Sequence, residues 1–286
     1  MASMTSYGQD TNNAEIIHVI PYYLIYENMV LFGGTEIQNV DKETFEILDL
    51  CIYARDKNYV YRYGEKMENL KPEDFIYLGN SYVKYNNEVY SGDKKLEEAD
   101  FATFALLGNW YAKDNKSVYY GERKIEDADA ASFGIVKYLY GKDKNSVFFM
   151  GAKLEALESE TFEVLNANYA KDSLNVYFWS YKIENADAQT FIVLDERYAK
   201  DKNRAYNHIS PIEADINTFE IIGDSYSKDK NNVYCGDKII EKADPNTFEI
   251  IGDSYSKDKK RVYYYEKIVL GVNPKNFILQ FRFPDL

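Results

Sequence analysis

Cysteine and histidine are nearly absent from this chain, with two of each in 286 residues. Cys51 and Cys235 lie far apart and outside any metal-ligand spacing, so neither a disulfide framework nor a zinc site is expected. That usage fits a reducing, cytoplasmic compartment. Catalysis near neutral pH usually draws on histidine beside a positioned nucleophile, and His18 and His208 fall in different parts of the sequence. No glycine-rich phosphate loop or EF-hand calcium loop is present. A non-enzymatic protein with no catalytic residue, no metal and no cofactor is therefore expected.

Long apolar runs are also missing. The stretch from Ile16 to Ile25 is short and interrupted by His18 and Pro21, and no Lys or Arg precedes Lys42. Neither a signal peptide nor a membrane-spanning helix is expected. Positive charge is scarce, with 34 Lys and Arg against 47 Asp and Glu for a net charge of -13. Contacts to a phosphate backbone need cations, so direct nucleic-acid binding is disfavoured. An acidic surface instead attracts basic proteins, or simply serves solubility.

What the chain has in quantity is aromatic residues, 28 Tyr and 16 Phe, and they recur. Phe45, Phe75, Phe104, Phe133, Phe162, Phe191, Phe219, Phe248 and Phe277 follow one another at intervals of 28 to 30 residues. A second column, from Tyr53, Tyr82 and Tyr111 through Tyr140, Tyr169, Tyr198 and Tyr226 to Tyr255, keeps nearly the same period, with Leu24 in the slot of a degenerate first unit. Self-similarity at such a period is the mark of a repeat architecture.

The clearest copy opens at Tyr226 and passes through Asp229, Lys230, Asn231 and Asn232 to Val233 and Tyr234. Asp and Asn between two aromatic, β-branched runs predict a β-hairpin. Gly236 and Asp237 predict a second turn and a short strand. Asp244 then offers an N-cap and Pro245 a first helical residue, predicting one helical turn before a strand at Glu249 to Ile251. The expectation is an all-β-rich tandem repeat, with roughly three short strands and one helical turn per unit. Residues 1–15 are expected to be a flexible N-terminal segment, and 16–286 a single array of about nine units with the last as a C-terminal cap. Stacked as coils of a β-helix, Lys113, Lys142, Lys171 and Lys200 would form a ladder of like charges. An elongated array of small sheets is therefore favoured, with a β-propeller as the alternative.

The unit Tyr-Xaa-Lys-Asp-Lys-Asn-Xaa-Val-Tyr-Tyr, nearly whole from Tyr111 to Tyr120 and from Tyr140 to Phe149, resembles the bacterial DKNYY repeat family. The resemblance covers almost the entire chain and implies a bacterial or phage-like origin. The family is largely uncharacterised, so it implies no catalytic residue. The pattern weakens in the first unit at Tyr26 and Glu27, and in the third, where Tyr85 replaces Asp.

The recurring turn aspartates, Asp114, Asp143, Asp172, Asp201, Asp229 and Asp258, read as turn formers rather than as a row of catalytic or metal-binding carboxylates. A residue needed once for chemistry has no reason to recur in every unit. The series Asp100, Asp129, Asp187, Asp215 and Asp244 reads as capping. The Tyr and Phe columns read as packing between repeats rather than as a stacking platform for sugars or bases.

Specificity is expected where one unit departs from its neighbours. At the second turn the chain reads Tyr63, Gly92, Gly121, Met150, Trp179, His208, Gly236 and Tyr265. Met150, Trp179 and His208 are bulky replacements in three consecutive units, flanked by Tyr181, Asn207 and Ile209. They form the expected partner-binding edge, the alternative being repacking within a drifting repeat. The expected partner is another protein with a basic surface, bound by an acidic inhibitor or immunity-type factor, of which an anti-CRISPR protein would be one version. A structural or adhesive spacer and a carbohydrate-binding module are the alternatives.

Overall fold

The structure is a computed structural model that describes residues 22–279, apart from 27, 28, 50, 156, 224 and 253. The expected flexible segment 1–15, the apolar residues 16–21 and His18 lie outside the described residues. Among the described residues the protein forms nine antiparallel sheets, eight with four strands and the first with three. Two compact units are defined, Met1–Gly108 with Gly121–Arg123, and Asn109–Tyr120 with Lys124–Leu286. The first unit holds the sheets formed by residues 23–36, 46–66 and 76–95. In the second, the hairpin of Tyr111–Lys113 and Val118–Tyr120 precedes the sheets of residues 134–153, 163–182, 192–212, 220–239 and 249–269.

Each four-stranded sheet is a meander of very short strands. In one of them Glu163–Val164 pairs with Tyr169–Lys171, which pairs with Val176–Phe178, which pairs with Tyr181–Lys182. The sequence predicts roughly three strands per unit, and the structure has four. The strand expected at Glu249 to Ile251 is present as Glu249–Gly252, and like its counterparts it folds back antiparallel onto the strand of the opening Tyr that follows it. The expected helical turn is also corrected. Among the described residues a helical turn occurs only as the 3-10 turn Pro72–Asp74. Elsewhere the Asp-Xaa-Xaa-Thr segment closes as a single turn, with the Thr190 N–H 3.0 Å from Asp187 Oδ1, and the next Phe is already leaving it for the following strand.

So short a sheet cannot bury its own apolar surface. Side chains alternate across a strand, and both faces here are used. Tyr169, Val176, Phe178 and Ile183 pack against Ala188, Phe191, Ala199 and Tyr206 of the next repeat. Ala170 and Tyr177, on the opposite face of the same strands, pack together with Phe162 of their own repeat against Tyr140, Val147 and Phe149 of the preceding one. A large opening Tyr thus meets a small residue beyond it, and the alternation Tyr-Ala-Lys writes that fit into the strands opened by Tyr111, Tyr169 and Tyr198.

The two aromatic columns meet across every repeat border described. Tyr111 reaches Phe133, Tyr140 reaches Phe162 and Tyr169 reaches Phe191 with ring centroids 5.4, 5.5 and 5.7 Å apart. In the first repeat this part belongs to Tyr23, not Leu24. Tyr23 is 1% exposed, its ring lies 6.3 Å from Phe45, and its hydroxyl accepts the Gly64 N–H at 2.8 Å. Leu24 is one residue out of register and points to the other face.

The lysines also bridge repeats. Lys113 Nζ donates to the Ala130 and Phe133 carbonyls at 2.9 and 3.0 Å, Lys142 Nζ to Ser159 and Lys171 Nζ to Ala188. Each ammonium faces the carbonyls of the following loop, so no like-charge ladder arises.

In seven of the repeats a buried turn aspartate is the hub. Asp201 is 3% exposed. Its Oδ1 accepts the N–H groups of Asn203 and Arg204, and its Oδ2 accepts the Asp187 N–H and the Tyr206 hydroxyl, all between 2.7 and 2.8 Å. Lys202 returns an ion pair to Asp187 at 2.5 Å. Burial alone would raise the Asp201 pKa, but these backbone and hydroxyl donors together hold it below the ordinary carboxylate value. The same opposition lowers Asp56, Asp172, Asp229 and Asp258. The third repeat lacks this hub. Tyr85 in its place stacks on Tyr90 at 4.4 Å with 3° between planes, and Asn86 and Asn87 turn the chain with φ of 50° and 60°.

Carboxylates ionised more readily in the folded than in the unfolded state add stability above the unfolded pKa near 4, and lose it as pH falls through the folded value. The urea midpoint should therefore hold steady from neutral pH down to about 5 and drop below about 4. Asp201→Ala should cost on the order of 2–4 kcal/mol at pH 7, since it strands several buried donors; a denaturation midpoint unmoved by it would refute the hub. Tyr169→Phe, which removes only a hydroxyl 2.6 Å from the Arg197 carbonyl, should cost about 1 kcal/mol and show as faster amide exchange at residues 197–208.

Candidate functional site

The two turns that join the leading to the opening strand, and the central to the short strand, lie at the same end of each sheet. The aspartate turn lies at the other. At the first end the N–H of the bulky-slot residue donates to the residue before the opening Tyr, as from Trp179 to the Asn168 carbonyl at 2.7 Å and from His208 to Arg197 at 2.7 Å. The opening Tyr of one repeat then reaches the corresponding end of the next. Tyr140 donates its hydroxyl to the Trp179 carbonyl at 3.2 Å, and Tyr169 to the Arg197 carbonyl at 2.6 Å.

Side chains tie these ends together along the second unit. Asn109 Nδ2 donates to the Tyr138 carbonyl, Asn168 Nδ2 to Glu196 at 2.7 Å, and an Arg197 guanidinium N–H to Ser225 Oγ at 2.8 Å. Met150, Trp179 and His208 therefore occupy equivalent turns of three consecutive repeats. Trp179 and His208 share one neighbour, Phe178, whose ring centroid is 4.9 Å from the indole and 4.8 Å from the imidazole. Met150, Trp179, Tyr181 and Ile209 are 43%, 45%, 61% and 44% exposed, while Asn207 and His208 are partly buried. Tyr181 pairs in register with Phe178, and Asn207 with Ser210.

The sequence reading misses two members of this end. Trp110 and Tyr138, in the other turn of the fourth and fifth repeats, are 44% and 43% exposed. Their signal is the same as for the slot residues, an aromatic out of keeping with its column: Trp110 stands one residue before the opening Tyr111 where Ser81 precedes Tyr82, and Tyr138 stands two before Tyr140 where Asn109 stands two before Tyr111.

The backbone at these turns is left-handed, with φ of 50° at Met150, 54° at Trp179, 55° at His208, 66° at Trp110 and 51° at Tyr138. Gly92, Gly121 and Gly236 occupy the same slot with φ of 56° to 62°. A residue with a Cβ is disfavoured there by about 1–2 kcal/mol. These repeats keep bulky side chains where the local backbone favours glycine.

The titratable groups offer little to chemistry. Burial pushes the Cys235 thiol up to about 11, which keeps it protonated and a poor nucleophile. Burial lowers the His208 pKa, Arg197 lowers it further, and Asp195 opposes both. The turn aspartates are committed to backbone donors. Among the described residues no three His, Cys, Asp or Glu side chains group as metal ligands, and no helix is long and apolar enough to cross a membrane.

These features define a tandem repeat of small antiparallel sheets, locked through an aspartate turn and an inter-repeat tyrosine. The DKNYY family model matches residues 23–152, 82–210 and 149–267, and the chain belongs to the DKNYY family. No curated protein and no solved structure matches it.

Met150→Gly relieves the left-handed strain at an exposed position and should raise stability by about 0.5–1 kcal/mol. A melting temperature that falls instead would mean that Met150 packs to hold the turn, and that its retention is structural.

Proposed function

We propose that this protein is a non-enzymatic, protein-binding repeat scaffold. It acts as an acidic inhibitor or immunity-type factor that covers a basic surface of a nuclease or other effector. The observation that carries the reading is the row of half-exposed bulky side chains in consecutive turns of the second unit. Trp110, Tyr138, Met150, Trp179 and Tyr181 are each 43% to 61% exposed. Aromatic and methionine side chains in such a row are what protein interfaces enrich, and repeat arrays bind through extended surfaces. Keeping Trp110, Tyr138, Met150 and Trp179 at left-handed backbone positions argues for a use outside the fold.

Charge supports the choice of partner. The net charge is -13, and the turns at this end carry Asp195, Glu196, Asp237 and Glu266 against Lys137 and Arg197. Within the second unit, an elongated succession of repeats rather than a propeller belongs to the same proposal. In its support, opening tyrosines of that unit meet the phenylalanine of the next repeat in chain order, up to Tyr255 and Phe277 at 5.4 Å. A reducing, cytoplasmic setting is supported by the two free cysteines. A structural spacer is the second reading, favoured by the uniformity of the tyrosine contacts between repeats.

The test is affinity purification from the native host at low and moderate salt. The expected result is a stoichiometric basic protein, weakened by salt and lost with Trp179→Ala while the variant stays folded. Recovery of the scaffold alone or only with itself, or persistence of the effector's activity at saturating scaffold, would sink the inhibitor reading. Glycan-dependent recovery would point to the carbohydrate alternative instead.

A further inference from the structure

We infer that the turn at Trp179 is a receptor for a cationic side chain, above all a guanidinium, presented by a basic protein segment. This rests on the docking edge proposed above and names the chemistry it recognises.

The indole is already fixed before any ligand arrives. Trp179 Nε1–H donates to Asn168 Oδ1 at 3.0 Å, and Asn168 Nδ2 donates in turn to the Glu196 carbonyl at 2.7 Å. The ring also lies on Phe178, 4.9 Å away with 35° between planes. Its one hydrogen-bond donor is therefore used inside the protein, yet the side chain remains 45% exposed. What it offers to a partner is π surface. That surface binds cations through the ring quadrupole, most strongly for tryptophan. It has no donor left for the carbonyls or sugar oxygens that a polar or glycan ligand would present.

Two acidic residues belong to the turn that supports it. Asp195 and Glu196 are exposed in the turn whose backbone holds Asn168, Asn166 Nδ2 reaches the Asp195 carbonyl at 3.5 Å, and Asp195 Oδ1 accepts the Arg197 and Tyr198 N–H groups at 2.7 and 2.6 Å, which fixes the carboxylate and leaves Oδ2 for a ligand. The cation of that turn, Arg197, is engaged with Ser225 Oγ. An aromatic face with two exposed acidic residues in its supporting turn complements a planar cation better than a point charge. A guanidinium stacks on the ring while its edge donates to carboxylate, which an ammonium cannot do in the same pose. The cost of ordering this site on binding is small, because Asn168 and Phe178 already hold the indole.

The chain has two tryptophans, so Trp110→Phe leaves Trp179 as the sole tryptophan reporter. That variant would be titrated with an oligo-arginine and an oligo-lysine peptide at low and high salt, with circular dichroism as the control for folding. Saturable change in Trp179 fluorescence is expected, with arginine the tighter ligand. In the otherwise unchanged protein, Trp179→Leu should weaken oligo-arginine binding by about three- to thirty-fold, the range of a cation–π contact, and Trp179→Phe by less. Asp195→Asn with Glu196→Gln should weaken it further and flatten its salt dependence.

Peptide affinity that responds to salt and to the carboxylates but is unchanged by Trp179→Leu would overturn the inference, reducing the effect to bulk acidity. A native partner lost with Trp179→Ala, in a protein whose fluorescence ignores oligo-arginine, would also overturn it and leave the docking edge intact. Tryptophan-dependent arginine binding without any native partner would uphold the receptor and remove the inhibitor.

Discussion

Each repeat border depends on one tyrosine that belongs to both sides. Its ring packs against the phenylalanine of the next repeat, and in most repeats its hydroxyl donates to the next repeat's turn backbone, as Tyr140 does with Phe162 and the Trp179 carbonyl; Tyr198, whose hydroxyl makes no such bond, is held by its ring alone. A sheet of two- and three-residue strands has too little area to stand alone. The stability of any one repeat is therefore a property of its borders, as expected of a tandem repeat. Full burial of such rings is worth about 1.5–3 kcal/mol each, which gives every border a comparable apolar contribution and the hydroxyl a directional one.

The aspartate turn does the complementary work inside a repeat. One buried carboxylate satisfies two turn amides, a loop amide and a tyrosine hydroxyl at Asp201. That combination closes the hairpin and binds the preceding loop to it. The charge is affordable in a buried place only because each lone pair has a donor. Where the third repeat gives up the aspartate, an aromatic stack of Phe75, Tyr85 and Tyr90 replaces it, so the hairpin is held by ring contact rather than by hydrogen bonds.

With borders and turns assigned to constant residues, the end of the sheets that carries the other two turns is left free to vary. Side chains there point away from the packed faces, and a change from Gly236 to Trp179 alters the surface at the cost of local strain alone. The fold thereby separates what must stay constant from what can differ. Variable positions lie side by side, because hydrogen bonds such as Asn168 to Glu196 and Arg197 to Ser225 keep successive ends in step.

The repeat, its period, the hairpin and the use of Asp as a turn former were all legible in the sequence, because each is a local preference written over again in most of the nine units. Repetition makes a weak propensity readable. The position of Trp179 beside Asn168, and the exposure of Trp110 and Tyr138, were not legible, since they depend on which turns share an end of the sheet. The strand before each opening tyrosine is legible at Glu249 to Ile251, but its partner is not: only the structure brings Glu163–Val164 and Glu249–Gly252 back antiparallel onto the strands that follow them. Helix capping was over-read at Asp244, where a local signal for Asp-Pro lost to the need to bring Phe248 onto Tyr226 within a few residues. The sequence by itself determined the unit and its core residues, which hydrophobic period and turn chemistry specify. Tertiary structure decided which face each residue serves and which surface residues adjoin, because those follow from pairing between segments about 29 residues apart.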